Sequence, residues 1–563
     1  MTGSAVRSGR FVRLVRRLAC ARFALLVGRD RAVDRGGVRP ERDFVATVAT
    51  TLTPATRGTP HRHRHRALRL RGFDDGRRAG TAAAGVMPTG RRAKRAVAPV
   101  GARALTRPGR RASMKSYAAT AAASLLCVGL AVPSAPLRHA AQPGPPNVLI
   151  IVTDDQRGPE TLAFHPRIRH WIADAGAKFN RGFVSIPSCC PSRGSILTGR
   201  YAHSHGIRHQ GDQANLDHAT TIEAYLHDAG YATGIVGKFL NQWILQHRPP
   251  HFDRSAITAS GYENAWFNVD GAGRRVGYST TFIGDRAVTY LNEFQANDDE
   301  QPWFLYLTPT APHKPFDPEA QYEDAPVRPW PGTPATMETD RSDKPPSVRA
   351  RNIPQEEANA ERVQQIRTLL SVDDMVDQVF NRLVALDELD NTLVFYLSDN
   401  GYLWGEQRLR GKFVPYTNSI KIPFLMRWTG QVPAGVTDNR WALGLDVAPT
   451  VFDAVGINPD PAVDGISLLG SARHHHLFTE YWQDDANIRG IPTWASIRTR
   501  SYQYVEYYNE AGAVTFREYY DQINDRFQLV NLLNDGDPSN NPDITAISRQ
   551  LRDDRTCEGD ECP

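Results

Sequence analysis

The groups in this 563-residue chain that could do chemistry fall into a few short strings. The densest is Cys189-Cys190-Pro191-Ser192-Arg193, followed by Leu197-Thr198-Gly199-Arg200. Adjacent cysteines cannot easily pair with each other or both reach partners, so a structural disulfide does not explain them. Other polar groups sit where apolar runs stop. NVLIIV (147–152) runs into Thr-Asp154-Asp155, NTLVFYLS into Asp399-Asn400, PWFLYLTPTAP into His313, and YATGIVG into Lys238. The first three endings could bind a metal or an anion, and Lys238 adds a cation. One such ending is a solvated loop by default; four at one edge of a sheet make a site.

The elements that must position these groups are legible in the same runs. Continuous apolar, β-branched stretches read as strands buried on both faces, as in a parallel sheet. Helical patterns alternate with them: TIEAYLHDAG, TFIGDRAVTYLNEF, a long periodic segment at about 356–389, and LDVAPTVFDAVG. The alternation predicts an α/β fold with a large, mostly parallel sheet flanked by helices. Ligands of open α/β sheets lie outside the carboxyl ends of the strands. From about His474 the style changes to short aromatic segments, HHLFTEYW, WASIRTRSYQYVEYY and VTFREYYDQ, which predict a small antiparallel sheet. The expected division is a large domain at 147–473 and a C-terminal subdomain at 474–563.

The rest of the chain differs in charge. The net +6 hides 27 basic against 6 acidic residues in 1–113, a charge of +21, and 40 against 55 in 114–563, a charge of −15. The first segment is Arg-rich, of low complexity, and without helical or strand period. It reads as a disordered tail, a nucleic-acid-binding arm, or sequence outside the working protein, and the third is preferred. The preference comes from Met114, which opens MKSYAATAAASLLCVGLAV: Lys115 is a basic start and 118–132 an uncharged apolar core, the anatomy of a secretory signal. Arg110-Arg111 upstream weakly resembles a twin-arginine signal. Residues 114–146 are therefore expected to be signal peptide and linker, and the protein to be secreted. No apolar run reaches the ~18–20 residues of a membrane span. The Gly and Cys counts exclude collagen-like and disulfide-dense classes. In an exported protein Cys557 and Cys562 are a plausible local disulfide.

The string C-C-P-S-R followed by L-T-G-R resembles the signature of the sulfatase family, with Asp-Asp upstream and Asp-Asn downstream as in that family. The resemblance covers roughly 147–457 and extends to REYYDQINDRFQLVNLLND, similar to the family's closing hairpin and helix. It implies an alkaline-phosphatase-like fold and sulfate-ester hydrolysis. It also implies that Cys189 is oxidised to Cα-formylglycine by a formylglycine-generating enzyme, Cys190 being the variable position. By the family mechanism one hydroxyl of the aldehyde hydrate attacks sulfur and the other later expels sulfate. Sulfate esters repel nucleophiles, so such a hydrolase needs a metal, several cations and a strong nucleophile. Asp154, Asp155, Asp399 and Asn400, with the converted Cys189, match the ligands of a divalent ion, Ca²⁺ by family habit with Mg²⁺ possible. Arg193 matches the cation that holds the hydrate, Lys238 and Lys412 the sulfate-binding lysines, and His313 the general acid or a sulfate donor near the leaving group. The helix starting near Cys190 would point its amides and positive end at the site. His203 and His205 follow that helix, with packing as good an explanation as substrate contact.

Two family histidines are replaced, by Leu240 (followed by Asn241) and by Gln407. C-C-P-S-R, GKFLNQW and APHKPFDPEAQY together most resemble the N-acetylglucosamine-6-sulfatase branch. A sulfated sugar or small aryl or alkyl sulfate is the expected substrate, with no nucleic-acid partner and no membrane span. An acidic body with one cationic pocket favours a terminal sulfate over internal attack on a long polyanion. A formylglycine-dependent phosphodiesterase or phosphonate monoester hydrolase is the alternative, and a non-catalytic carbohydrate-binding homologue a second.

Overall fold

A computed structural model describes residues 144–459, 461–484 and 490–563. The Arg-rich segment and the expected signal peptide fall outside the described residues.

The large sheet is built from β1 (Asn147–Thr153), β2 (Ala177–Phe183), β3 (Ala232–Lys238), β4 (Arg254–Thr258), β5 (Trp266–Val269), β6 (Ala272–Arg275), β7 (Trp303–Thr308) and β8 (Thr392–Ser398). A short hairpin, β9 (Leu403–Trp404) with β10 (Arg410–Gly411), precedes its last strands, β11 (Phe424–Arg427) and β12 (Val436–Leu443). The order is β12-β2-β11-β8-β1-β7-β3-β4-β5-β6. From β8 to β4 the pairing is parallel; β11, β5 and β6 run antiparallel to their neighbours. The mostly parallel α/β sheet expected from the apolar runs is therefore present.

β1 explains why those runs had to be continuous. Val148, Ile150 and Val152 pack on one face with the helices Cys189–Thr198, Ile222–Asp228 and Val447–Val455. Leu149 and Ile151 pack on the other with Ser279–Asn297 and Gln355–Ala385. Every residue of β1, β3, β7 and β8 is buried, because helices cover both faces.

The second sheet joins β13 (Leu477–Tyr481), β14 (Thr493–Arg498), β15 (Tyr502–Tyr508) and β16 (Val514–Asp521), all antiparallel. Phe478, Trp494 and Tyr504 share one apolar core with Ile196 and Phe424 of the large sheet's side. The closing helix differs from the expectation. It forms at Thr545–Asp554, not within QLVNLLND. There the backbone N–H groups of Leu529 and Val530 donate to Asp525, and Asn531 is tied to Asp343 and Tyr519. Such side-chain bonds hold turns in competition with a helix. Among the described residues Cys557 and Cys562 form a disulfide, and Cys189 and Cys190 have no disulfide partner.

Candidate active site

Four adjacent strands, β8-β1-β7-β3, deliver the polar endings to one edge. β8 ends before Asp399-Asn400, β1 before Asp154-Asp155, β7 before the loop to His313, and β3 on Lys238 itself. The helix Cys189–Thr198 points its first residue into the same place. All ten of its residues are buried, and Gly199 ends it at φ 70°. A Cβ on Gly199 would also press on Pro449 and Ala448 at 3.0 and 3.1 Å.

The groups form one buried cluster. Ligand atoms of Asp154, Asp155, Cys189 and His313 all lie within 4.8 Å of one another. Arg193 donates through Nε to Asp399 Oδ2 at 2.9 Å, with a second guanidinium nitrogen in ion-pair contact with the same oxygen at 2.9 Å, and through the third to the Lys238 carbonyl at 2.9 Å. Lys238 Nζ donates to Asp154 Oδ2 at 2.5 Å. Lys412 Nζ donates to Asp155, to Cys189 Sγ at 2.6 Å and to Asn400 Oδ1 at 3.0 Å. Three carboxylates thus face three permanent cations, and such balance is what makes buried charge tolerable.

The charges displace one another's protonation. Burial works against ionised Asp154, but Lys238, His313, Arg193 and Lys412 hold its carboxyl well below the usual range. Burial and the charge on Asp154 push Asp399 up, against Arg193 and the two lysines. Burial, with Asp154, pushes the Cys189 thiol up to about 12. At neutral pH the sulfur is a protonated thiol, which is a poor nucleophile.

A cavity of about 490 Å³ opens above the cluster. Cys189, Asp155, His313 and Lys412 line it, whereas Arg193, Lys238, Asp154, Asp399 and Asn400 form the layer beneath. His313 is the one histidine among its described lining residues. Its Nδ1 faces the Lys314 carbonyl at 2.9 Å, which can only accept, so Nδ1 carries a proton. Nε2 is left facing Asp155 Oδ2 at 3.9 Å.

Several sequence expectations are modified here. The Cys190 amide donates to Gln210 Oε1 at 3.1 Å, Pro191 has no N–H, and the Ser192 amide bonds to the Ser188 carbonyl. The helix therefore offers its dipole to the site more than its amides. Leu240 is buried in the core, and Gln407 donates to the Phe527 carbonyl, away from the cavity. Asn241 does line the cavity, with its Oδ1 lacking a hydrogen-bond partner among the described residues. His205 accepts the Ile207 N–H on Nδ1 and so donates from Nε2 to Ser195 Oγ. His203 bonds Glu480 and the Cys557 carbonyl. Both histidines are packing residues. Lys314, Arg351 and Arg410 also line the cavity, so its cationic wall is wider than the sequence indicated. Lys314 and Arg410 lie beside His313 and Lys412 in the sequence, which was a signal; Arg351 and Gln210 lie in loops without one.

The donor set suits a divalent cation. Asp154, Asp155, Asp399 and Asn400 are hard oxygen donors, as Ca²⁺ or Mg²⁺ requires. The Lys412 ammonium, bonded to Asp155, Asn400 and Cys189, already places a cation among three of the residues concerned.

A parallel-sheet edge bearing this carboxylate–cation cluster around a cysteine defines an α/β protein with a buried, charge-balanced site at the carboxyl ends of its strands. The comparisons narrow the class. The family model "Sulfatase" matches residues 146–457, and that for the C-terminal part of N-sulphoglucosamine sulphohydrolase matches 405–556. The chain belongs to the sulfatase family. It is 33% identical over 345 residues to the extracellular sulfatase SULF-1 homolog of Drosophila melanogaster, covering 58% of this chain and 31% of the relative. It is 30% identical over 370 residues to N-acetylglucosamine-6-sulfatase of Homo sapiens, covering 60% and 66%. The chain thus spans between about a third and two thirds of the length of these relatives. Among solved structures, a protein in complex with its substrate D-glucosamine-2-N,6-O-disulfate superposes with TM-score 0.62 at 21% identity, over 72% of this chain and 96% of its own. The phosphonate monoester hydrolase of Agrobacterium radiobacter gives TM-score 0.54 at 18%, over 72% and 94%.

Proposed function

We propose that the protein hydrolyses sulfate monoesters of sugars, using Cys189 after its conversion to Cα-formylglycine by a formylglycine-generating enzyme. The observation that supports this most is the convergence of four strand ends and the Cys189 helix on one buried, charge-balanced cluster. The protonated thiol itself is unfit for the task. The hydrated aldehyde would supply two hydroxyls, one to attack sulfur and one whose deprotonation expels sulfate and restores the aldehyde. Asp154, Asp155, Asp399 and Asn400, with residue 189, would hold Ca²⁺, or Mg²⁺, whose chemistry there is polarisation of a sulfate oxygen.

The chain's own residues do the remainder. Lys412, on the cavity floor, binds a sulfate oxygen and steadies the side chain at 189. Lys238 holds Asp154 ionised and backs the sulfate with positive charge. Arg193 fixes Asp399 and completes the charge balance. His313, in its imidazolium form with both ring nitrogens protonated, delivers the Nε2 proton to the leaving alcohol and keeps the one on Nδ1; no second cavity histidine competes for that role among the described residues. The branch resemblance and the sulfated-sugar relatives favour a sulfated N-acetylglucosamine unit, and the cavity volume suits one sugar ring with its sulfate. Export is part of the proposal, since the Drosophila relative is described as extracellular.

The deciding experiment is mass spectrometry of the peptide containing 188–193 together with turnover of paired substrates. Conversion at Cys189 and faster hydrolysis of an aryl sulfate than of an aryl phosphodiester are expected. An unmodified thiol with no turnover would leave a binding homologue; greater proficiency with the phosphodiester would give the phosphonate-hydrolase reading.

A further inference from the structure

The hairpin that lines the catalytic cavity with Tyr402 and Leu403 turns its next residue, Trp404, into a second cavity of about 230 Å³. Phe164, Trp330 and Trp404 supply its aromatic wall, and Arg328, Arg362 and Glu160 its charges.

Arg362 is the unusual member. Its side chain comes from the long helix Gln355–Ala385 and is only 5% exposed. One nitrogen donates to the Arg328 carbonyl at 3.1 Å, and Nε has no hydrogen-bond partner among the described residues. The charged groups that act on it are Arg157 and Arg328, both cations, so burial and like charge push its guanidinium below the usual arginine range. Arg157 cannot share its partners, because Glu160 and Glu406 bond to it at 2.6 and 2.7 Å. That pairing also neutralises the wall's carboxylate. The Arg362 guanidinium lies 5.4 Å from the Trp404 ring centre and 5.8 Å from those of Trp330 and Phe164. Ring faces attract a cation but do not replace a counter-ion. Among the described residues, the one acid on this cavity's wall is already paired with Arg157, and a buried guanidinium left without an acid of its own is half of an ion pair.

We infer that this cavity is an accessory site for an oxyanion carried on a sugar, its sulfate or carboxylate seated on Arg362 and Arg328 and its ring against Trp330. A planar, forked guanidinium suits either oxyanion, and an aromatic wall suits the apolar face of a pyranose. The site would hold a second anionic unit, apart from the one at Cys189. It concerns binding alone and does not rest on the proposed hydrolysis.

The test is calorimetric titration of the full chain carrying Cys189→Ala, which removes turnover, with N-acetylglucosamine 6-sulfate, glucuronate, inorganic sulfate and uncharged N-acetylglucosamine. A binding event for both anionic sugars that is weakened at least tenfold by Arg362→Gln and at least threefold by Arg328→Ala, and kept in His313→Ala, is expected. Arg328 is exposed, so its replacement decides the matter even where Arg362→Gln does not fold. Equal binding with and without the arginines, or equal binding of the uncharged sugar, overturns the site. Inorganic sulfate bound as tightly as the sulfated sugar overturns the sugar-borne ligand. Failure of the sulfatase reading would appear separately, as a converted wild-type protein that binds but does not turn over.

Discussion

Replacing Arg193 by Met isolates the charge balance of the cluster. Arg193 is fully buried, donates one hydrogen bond to Asp399 Oδ2 at 2.9 Å, has a second nitrogen in ion-pair contact with the same oxygen at 2.9 Å and lies 3.8 Å from Asp154 Oδ2. Its loss leaves three buried carboxylates facing two lysines. Removing one partner of a buried pair costs about 3–5 kcal/mol. At roughly 2.1 cal/mol/K of unfolding entropy per residue, a unit of ~420 residues loses stability at ~0.9 kcal/mol/K near its midpoint, so the expected fall in Tm is about 3–6 °C. The measurement belongs in chelator, where the cluster's cations are the protein's own. Asp399→Asn in the Arg193→Met background removes the stranded charge and should recover at least ~2 kcal/mol relative to additivity. On sulfate-ester turnover, Arg193→Met should lower kcat/KM by about 10²-fold or more. A Tm shift under 1 °C, or two substitutions that simply add, would refute the view that Arg193 balances Asp399.

Other consequences are equally direct. Cys189→Ala should abolish turnover and keep the fold, whereas Cys190→Ala, in the apolar core, should keep turnover and lose about 1–2 kcal/mol in denaturant melts; equal loss of activity in both would show that the wrong cysteine was chosen. His203 is held above its ordinary pKa, Glu480 more than offsetting burial. Its contribution is therefore complete below pH ~6.5 and is lost as pH rises through the folded value; His203→Asn should flatten that decline in Tm-versus-pH curves, and an unchanged slope would contradict it. Burial pushes the fully buried Glu223 carboxyl up to about 8. It is neutral when folded, so stability falls as pH rises from about 4.5 to 8, and Glu223→Gln should gain a few kcal/mol at pH 8 and nothing at pH 4. Equal melts of the two proteins at pH 8 would rule out a neutral Glu223.

Much of this protein was legible without coordinates. Burial on both faces demands continuous apolar strands, so β1, β3, β7 and β8 could be read directly, and their polar endings pointed to the groups that converge in the candidate site. The C-C-P-S-R string carried the family. The closing helix was misplaced because side-chain bonds from Asp525 and Asn531 override local helix preference. Such bonds depend on partners far along the chain, Asp343 among them.

By itself the sequence determined which residues could do chemistry and that strands would end at them, because strand and helix periods are local properties. Only the tertiary structure decided that β8, β1, β7 and β3 are neighbours, that Lys238 and Arg193 lie under the floor while Lys412 and His313 line the cavity, and that Arg362 meets three rings beside an acid already paired with Arg157. Those facts depend on strand order and side-chain burial, where charges hundreds of residues apart are forced to settle one another's electrostatics.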